Sequence, residues 1–288
     1  MERYKYILVC FVLLFFIIFE NWTLILSNIT KLLNPRIFCT MVSDLDNGLG
    51  SKHSTISPAI FYWGTPVVLI TTENPDSTFN IAPMSSAWWL GNRCMLGLGA
   101  ISQTTINLLR TKQCVLNLAS DSMTDAINAL ARTTGSKEIL TAEPGEGYKY
   151  FKRMNGYAYV HDKFGRAGLT PVVSDMVRPA RIAECPAQME AELVGVYEMM
   201  QDADTKGFIA LEVKVLKTHV HQEIRMEGHK NRIDPDKWHP MIMSFQELYG
   251  LKEKKVDKSV LAKIGEEEYR GFSNAADIEE AKEILSST

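Results

Sequence analysis

The stretch Pro66-Val-Val-Leu-Ile-Thr-Thr72, Glu73-Asn-Pro-Asp-Ser-Thr78, Phe79-Asn-Ile-Ala-Pro-Met-Ser-Ser86 decides how this chain folds. An apolar, β-branched run meets a turn-rich hexapeptide, and a second extended run follows. Pro75 presets φ, and Asp76 tolerates turn geometry while hydrogen-bonding its own backbone. The pattern predicts a β-hairpin. Working outward, the second run continues into Ala87-Trp-Trp-Leu-Gly91, and Cys94 to Gly99 reads as a third strand. A short helix is entered through Ser102-Gln-Thr-Thr105, and a fourth strand from Cys114 to Ala119 closes the unit.

Polar residues interrupt this apolar framework in two places. From Ser102 to Asn107, three hydroxyls and two amides gather at a predicted helix N-terminus. Free N–H groups and the positive end of the helix dipole make such an end an anion site; equally, Ser102 can serve only as an N-cap. From Asn80 to Trp89, Pro83 breaks a strand otherwise fit for a ladder, which points to an edge, a bulge or a strand end with backbone groups left for a ligand. The bland alternative is an ordinary strand end followed by two core tryptophans.

The ordered series Tyr62-Trp-Gly-Thr-Pro-Val-Val-Leu-Ile-Thr-Thr72, Asn80-Ile-Ala-Pro-Met-Ser-Ser86, Leu96-Gly-Leu-Gly99, Thr104-Thr-Ile-Asn-Leu108 and Cys114-Val-Leu-Asn-Leu118 resembles the flavin reductase-like family of FMN-binding split barrels. The likeness continues through Phe164, Ala167-Gly-Leu-Thr-Pro171, Arg178-Pro-Ala-Arg-Ile-Ala-Glu-Cys-Pro186 and Arg232-Ile-Asp-Pro-Asp-Lys237. It implies a mainly β fold, a six-stranded antiparallel Greek-key split barrel with peripheral helices. It also implies FMN, with FAD as an alternative, and NADH or NADPH as the hydride donor stacking on the exposed flavin face. Ser102, Gln103 and Thr104 would hold the phosphate, with Asn107 steadying the helix start. Asn80, Pro83, Met84, Ser85 and Ser86 would run beside the isoalloxazine, Trp88 would wall the pocket, and Phe164 would come from a partner subunit. Where family members carry a lysine or arginine before the phosphate threonine, this chain has Ser102 and Gln103. A homodimer with the flavin near its interface follows from the resemblance, as does a flavin-dependent monooxygenase as a recipient. An electron carrier or flavin donor without turnover needs the same cradle. Hydride transfer asks mainly for positioning, because the flavin carries the chemistry, so no catalytic acid or base is nominated.

Composition fits a globular protein, with 46% hydrophobic and 23% charged residues. A net charge of -3 and the absence of a basic stripe argue against a nucleic-acid partner. Five widely spaced cysteines, an odd number without a Cys-x-x-Cys pair, suggest buried small hydrophobes in a reducing, cytoplasmic setting. The expected divisions are a hydrophobic segment over 1–40, the barrel over 41–251 and a helical extension over 252–288. Residues 6–33 read as a membrane anchor, a signal-like core or an artefact of the gene model, since a span needs ~20 apolar residues and Glu20 and Asn21 interrupt this run. Asn21 and Asn28 begin sequons that matter only in a lumen.

Downstream, Met123 to Ala131 carries helical spacing behind Asp121 and Ser122 as caps. Tyr148 to Tyr159 places four tyrosines among lysines, either a docking surface for a nicotinamide cofactor or a half-exposed amphipathic element. Strands are expected over Ala187–Met200, bent by Gly195, and over Gly207–Val220. His219 and His221 would share a strand face, but no third ligand at metal spacing is visible and no metal site is predicted. Helices over Asp257–Ile264 and Ala275–Leu285, the latter with Ile278, Ala281 and Leu285 on one stripe, complete the chain.

Overall fold

A computed structural model describes residues 53–203, 207–252, 256, 259 and 275–286. The N-terminal apolar run with its sequons, Cys10, Cys39 and the helix expected over 257–264 lie outside those residues. No helix among the described residues is long and apolar enough to cross a membrane. The folded unit considered below begins at Ile60.

The elements run in order through β1 (Trp63–Pro66), β2 (Val68–Glu73), β3 (Phe79–Met84), β4 (Ala87–Leu90), β5 (Arg93–Gly99), α1 (Gln103–Thr111), β6 (Gln113–Leu118) and α2 (Thr124–Leu130). Next come β7 (Thr133–Thr134), α3 (Tyr148–Met154), β8 (Ala158–Tyr159), α4 (Lys163–Ala167), β9 (Pro171–Val172) and β10 (Arg181–Ile182). Two long strands, β11 (Ala187–Met199) and β12 (Phe208–Val220), precede β13 (Ile242–Ser244), β14 (Glu247–Tyr249) and α5 (Ala275–Ser286).

The expected hairpin is β2–β3, in register from Val68 opposite Met84 to Glu73 opposite Phe79. Its turn is closed by Asn74 N–H donating to the Thr78 carbonyl at 2.8 Å and by Asp76 Oδ1 accepting from Thr78 N–H at 3.2 Å. Every residue of β2 except its last is buried, because its two faces serve different cores. Leu69 packs with Ile81, Leu130, Phe164 and Ile182, whereas Val68 and Ile70 pack with Leu96, Leu116 and Leu211. A strand covered on both faces reads as an unbroken apolar run, which is how it stands in the sequence.

The principal sheet has seven strands in the order β3-β2-β6-β11-β12-β5-β4, every neighbouring pair antiparallel. The expected count was six. The extra strand arises because the run from Phe79 to Leu90 breaks at Ser85-Ser86, and its halves lie on opposite edges of the sheet. Met84 and Ala87 are three Cα steps apart, at most ~11 Å, so the sheet must curl until its first and last strands nearly meet. Gly97 N–H donates to the Ser86 carbonyl at 2.8 Å and fixes the link to β5. This is a closed sheet with one split. Register shifts at Glu190/Ala191 and Leu193/Gly195 bend β11, as the glycine suggests.

Helix α1 lies against β2 and β3. Ahead of α2, the cap is one residue earlier than expected: Ser120 accepts from Ser122 N–H and opens a single 3₁₀ turn, Asp121–Met123. Cys94, Cys114 and Cys185 are buried free thiols. Desolvation pushes the Cys94 thiol up to about 12 and raises the other two as well, the behaviour of small core hydrophobes. In α5, Leu285 is exposed; the side chains of Ile278 and Ala281 lie outside the described set.

Candidate functional site

A cleft of about 450 Å³ opens where the unpaired edge of β3 meets the start of α1, the β7 segment and the α3 region. Pro83 stands opposite Leu69 in β3, on an edge strand, where its missing N–H costs the ladder nothing. Asn80, Pro83, Met84 and Ser85 line this cleft together with Ser102, Gln103 and Thr104. The two polar interruptions seen in the sequence therefore share one cavity.

Four of the expected site residues lie elsewhere. Trp88 points outward from the edge strand β4 and is 57% exposed, because the strand break carries it to the far side of the split. Phe164 is buried in the core beside Ile81 and Leu130 of its own chain. Asn107 is fully buried, its Nδ2 donating to Thr72 Oγ1 at 3.1 Å and Asn74 Oδ1 at 2.8 Å, so it ties α1 to the hairpin. Ser86 stands just behind the cleft, its hydroxyl 3.0 Å from that of Tyr62, which does line it.

The β3–α1 wall is organised by hydrogen bonds among its own side chains. Ser102 is the N-cap of α1, accepting from Thr105 N–H at 3.2 Å. Gln103 Nε2 donates to Asn107 Oδ1 at 2.9 Å, and Asn80 Nδ2 donates to Thr104 Oγ1 at 3.0 Å. Asn80 Oδ1 is the exception: buried, it has no hydrogen-bond partner among the described residues. An orphaned buried acceptor costs free energy, and a ribityl hydroxyl would satisfy it. Beside it, Gly135 lies so close that a Cβ there would stand 2.8 Å from both Asn80 Oδ1 and Gln103 Cγ. Glycine keeps this corner open, and the residues present fit a flavin.

The other wall is cationic. Lys152, Lys163 and Arg132 line the cleft, and no aspartate or glutamate does. Lys163 is 3% exposed and donates from Nζ to the Ile81 carbonyl at 2.8 Å, on the unpaired edge of β3. Burial, with repulsion from Lys152 added, pushes its ammonium down to about 7. Lys152 Nζ sits 4.5 Å from the ring centre of Tyr148 and 5.6 Å from that of Tyr157, both cleft residues. Desolvation lowers its pKa too.

A profile of the flavin reductase like domain family matches residues 62–232. The uncharacterised protein YdfE of Bacillus subtilis is 37% identical over 200 residues, 69% of this chain and 90% of that protein. The chain belongs to the flavin reductase-like family. Solved structures share its fold at lower identity. Flavoredoxin of Desulfovibrio vulgaris superposes with a TM-score of 0.55 at 18% identity, covering 74% of this chain and all of that one. Nitrilotriacetate monooxygenase component B from Bacillus cereus gives 0.54 at 17%, covering 72% and 99%. An FMN-binding protein from Thermus thermophilus gives 0.50 at 12%, covering 72% and 99%.

In this flavin reductase-like domain the histidines act within the fold. His219 Nε2 lies 2.6 Å from Glu190 Oε1, and His221 Nε2 donates to the Ala183 carbonyl at 2.8 Å. Asp175, Glu190 and His219 bring donor atoms within 4.8 Å of one another, but Glu190 is already held by the N–H groups of Asp175, Met176 and Val177. Burial works to raise the Glu190 pKa, and these bonds outweigh it and hold the carboxyl below its ordinary value. Tyr62, Gly135, Lys152 and Lys163 escape the sequence reading as site residues. Tyr148, Lys152 and Tyr157 belong to the tyrosine-lysine patch of the sequence, and all three line the cleft.

Proposed function

We propose that this domain binds FMN in the β3–α1 cleft and acts as an NAD(P)H:flavin reductase, with residues 41–251 as the flavin-binding unit. The observation that carries the reading is the composition of one cavity. It combines a hydroxyl-bearing helix start, an orphaned buried acceptor and a glycine corner with no room for a Cβ. Bound flavin supplies hydride acceptance, so that NAD(P)H and one proton yield NAD(P)⁺ and reduced flavin. The chain's part is to bind, orient and exclude water. Thr104 and the free N–H groups at the start of α1 hold the phosphate; Ser102 keeps that helix end in place. Asn80 accepts from the ribityl chain, and Pro83 to Ser85 keep an unpaired strand edge against the ring. Lys163 holds a cationic donor at the same edge.

The functional unit in this proposal is a homodimer. Trp88, Leu90, Tyr197, Met199 and Phe208 leave large apolar surfaces exposed on β4 and the β11–β12 arm, and Ser86 connects this side to the cleft through Tyr62. Reduced flavin would pass to a monooxygenase, a role supported by the fold shared with a monooxygenase component B.

The test is direct. The purified protein should be yellow or become so with FMN, and should oxidise NADH or NADPH continuously when free flavin is added. Flavin binding with a single reduction and no turnover would favour an electron carrier. A protein that takes up neither FMN nor FAD would remove both readings.

A further inference from the structure

Lys152 is a cation without an acid. Among the described residues no carboxylate pairs with it, and its ammonium rests against the faces of Tyr148 and Tyr157. Lys163 stands close enough to repel it, and Arg132 adds a third positive group at the rim. Two like charges, one of them buried, are costly unless an anion joins them. The flavin phosphate already has a place at α1, where N–H groups and the Thr104 hydroxyl meet it, so the α3 side carries positive charge the flavin does not use.

We propose that Lys152, with Tyr148 and Tyr157, forms a subsite for the adenosine 2′-phosphate of NADPH, and that this chain prefers NADPH to NADH. The inference rests on the reductase reading above. NADPH and NADH differ only in that phosphate, a monoester carrying close to two negative charges at neutral pH. A lysine lacking an acid partner is the group that gains most from such a dianion. The tyrosine rings hold the Lys152 ammonium in place against their faces, at the wall of the cleft where the phosphate would meet it.

The experiment uses the FMN-loaded protein with 2′,5′-ADP and 5′-AMP as probes, followed by calorimetry and by perturbation of the flavin spectrum. 2′,5′-ADP should bind roughly tenfold tighter than 5′-AMP. In Lys152→Met that difference should vanish, the NADPH/NADH ratio of kcat/KM should fall about tenfold, and the FMN dissociation constant should stay within about twofold of the parent's. Lys152→Arg should restore the selectivity. Equal binding of the two probes, or a parent that prefers NADH, overturns the proposal. So does a Lys152→Met protein that loses FMN while keeping its donor ratio, since Lys152 would then serve the flavin's phosphate. Selective, Lys152-dependent binding of 2′,5′-ADP without turnover of either donor would uphold the subsite and sink the reductase reading alone.

Discussion

On the β3–α1 side of the cleft the polar side chains hold one another: Asn80 on Thr104, Gln103 on Asn107, and Asn107 on the Thr72–Asn74 turn. On the α3–α4 side, Lys152 and Lys163 line the cleft and no carboxylate does. The first wall is pre-organised, its geometry set before any ligand arrives, and it offers one open acceptor at Asn80 Oδ1. The second stores unbalanced charge. The contrast teaches that shape and charge are supplied by separate segments here, so each can be altered with the other left in place.

Four substitutions separate the walls. Gly135→Val should have the largest effect, because its Cβ meets Asn80 Oδ1 and Gln103 Cγ at 2.8 Å. FMN affinity should fall ~100-fold, measured by quenching of flavin fluorescence on titration. Thr104→Val removes the acceptor of Asn80 Nδ2 and leaves that amide unpaired at both ends. It should cost about 1–3 kcal/mol in denaturant unfolding and weaken FMN roughly tenfold. If Thr104→Val bound FMN like the parent, the division of labour drawn above would be wrong.

The third substitution, Lys163→Met, probes the charged wall through pH. The lysine titrates near 7 when folded and near ~10.4 when unfolded. Below pH 7 both states are protonated, and the fold carries the full cost of a buried ammonium. Between 7 and 10 the unfolded chain binds more protons than the folded one, so the parent's stability rises with pH. The Tm of the parent relative to Lys163→Met should therefore climb from pH 6 to pH 9.5 in thermal melts. A flat difference would mean that Lys163 is not a buried charge. The smallest effect is expected from Trp88→Ser, outward on β4 and away from both walls. Stability should change by no more than about 0.5 kcal/mol, while sedimentation shifts toward monomer.

The β2–β3 hairpin, the β5–α1–β6 succession and the long β11–β12 pair were legible because turn chemistry and burial leave local marks: Pro75-Asp76, Ser102 as a cap, Gly195 at a bend. The crossing at Ser85-Ser86 is less legible: Pro83 points to an edge or a strand end, but no residue says that the chain resumes on the opposite edge, which carries Trp88 away from the cleft lining. Lys163 was hidden differently. Between a capping Asp162 and a core Phe164 on a five-residue helix, a lysine reads as solvent-facing, and only the tertiary placement of the β3 edge gives its ammonium a carbonyl to meet. Phe164 was noticed in its stead and belongs to the core.

The two-residue crossing also bears on assembly history. Hairpins β2–β3 and β4–β5 are local and can form while the polypeptide is still emerging, but β11 must reach back some seventy positions to find β6. Until β11 and β12 arrive, the backbone flanks of β6 and β5 lie bare, the condition under which strands recruit other molecules. Ser85-Ser86 joins β3 to β4 at the other side, so the two unfinished halves are tethered to one another while the missing centre is made.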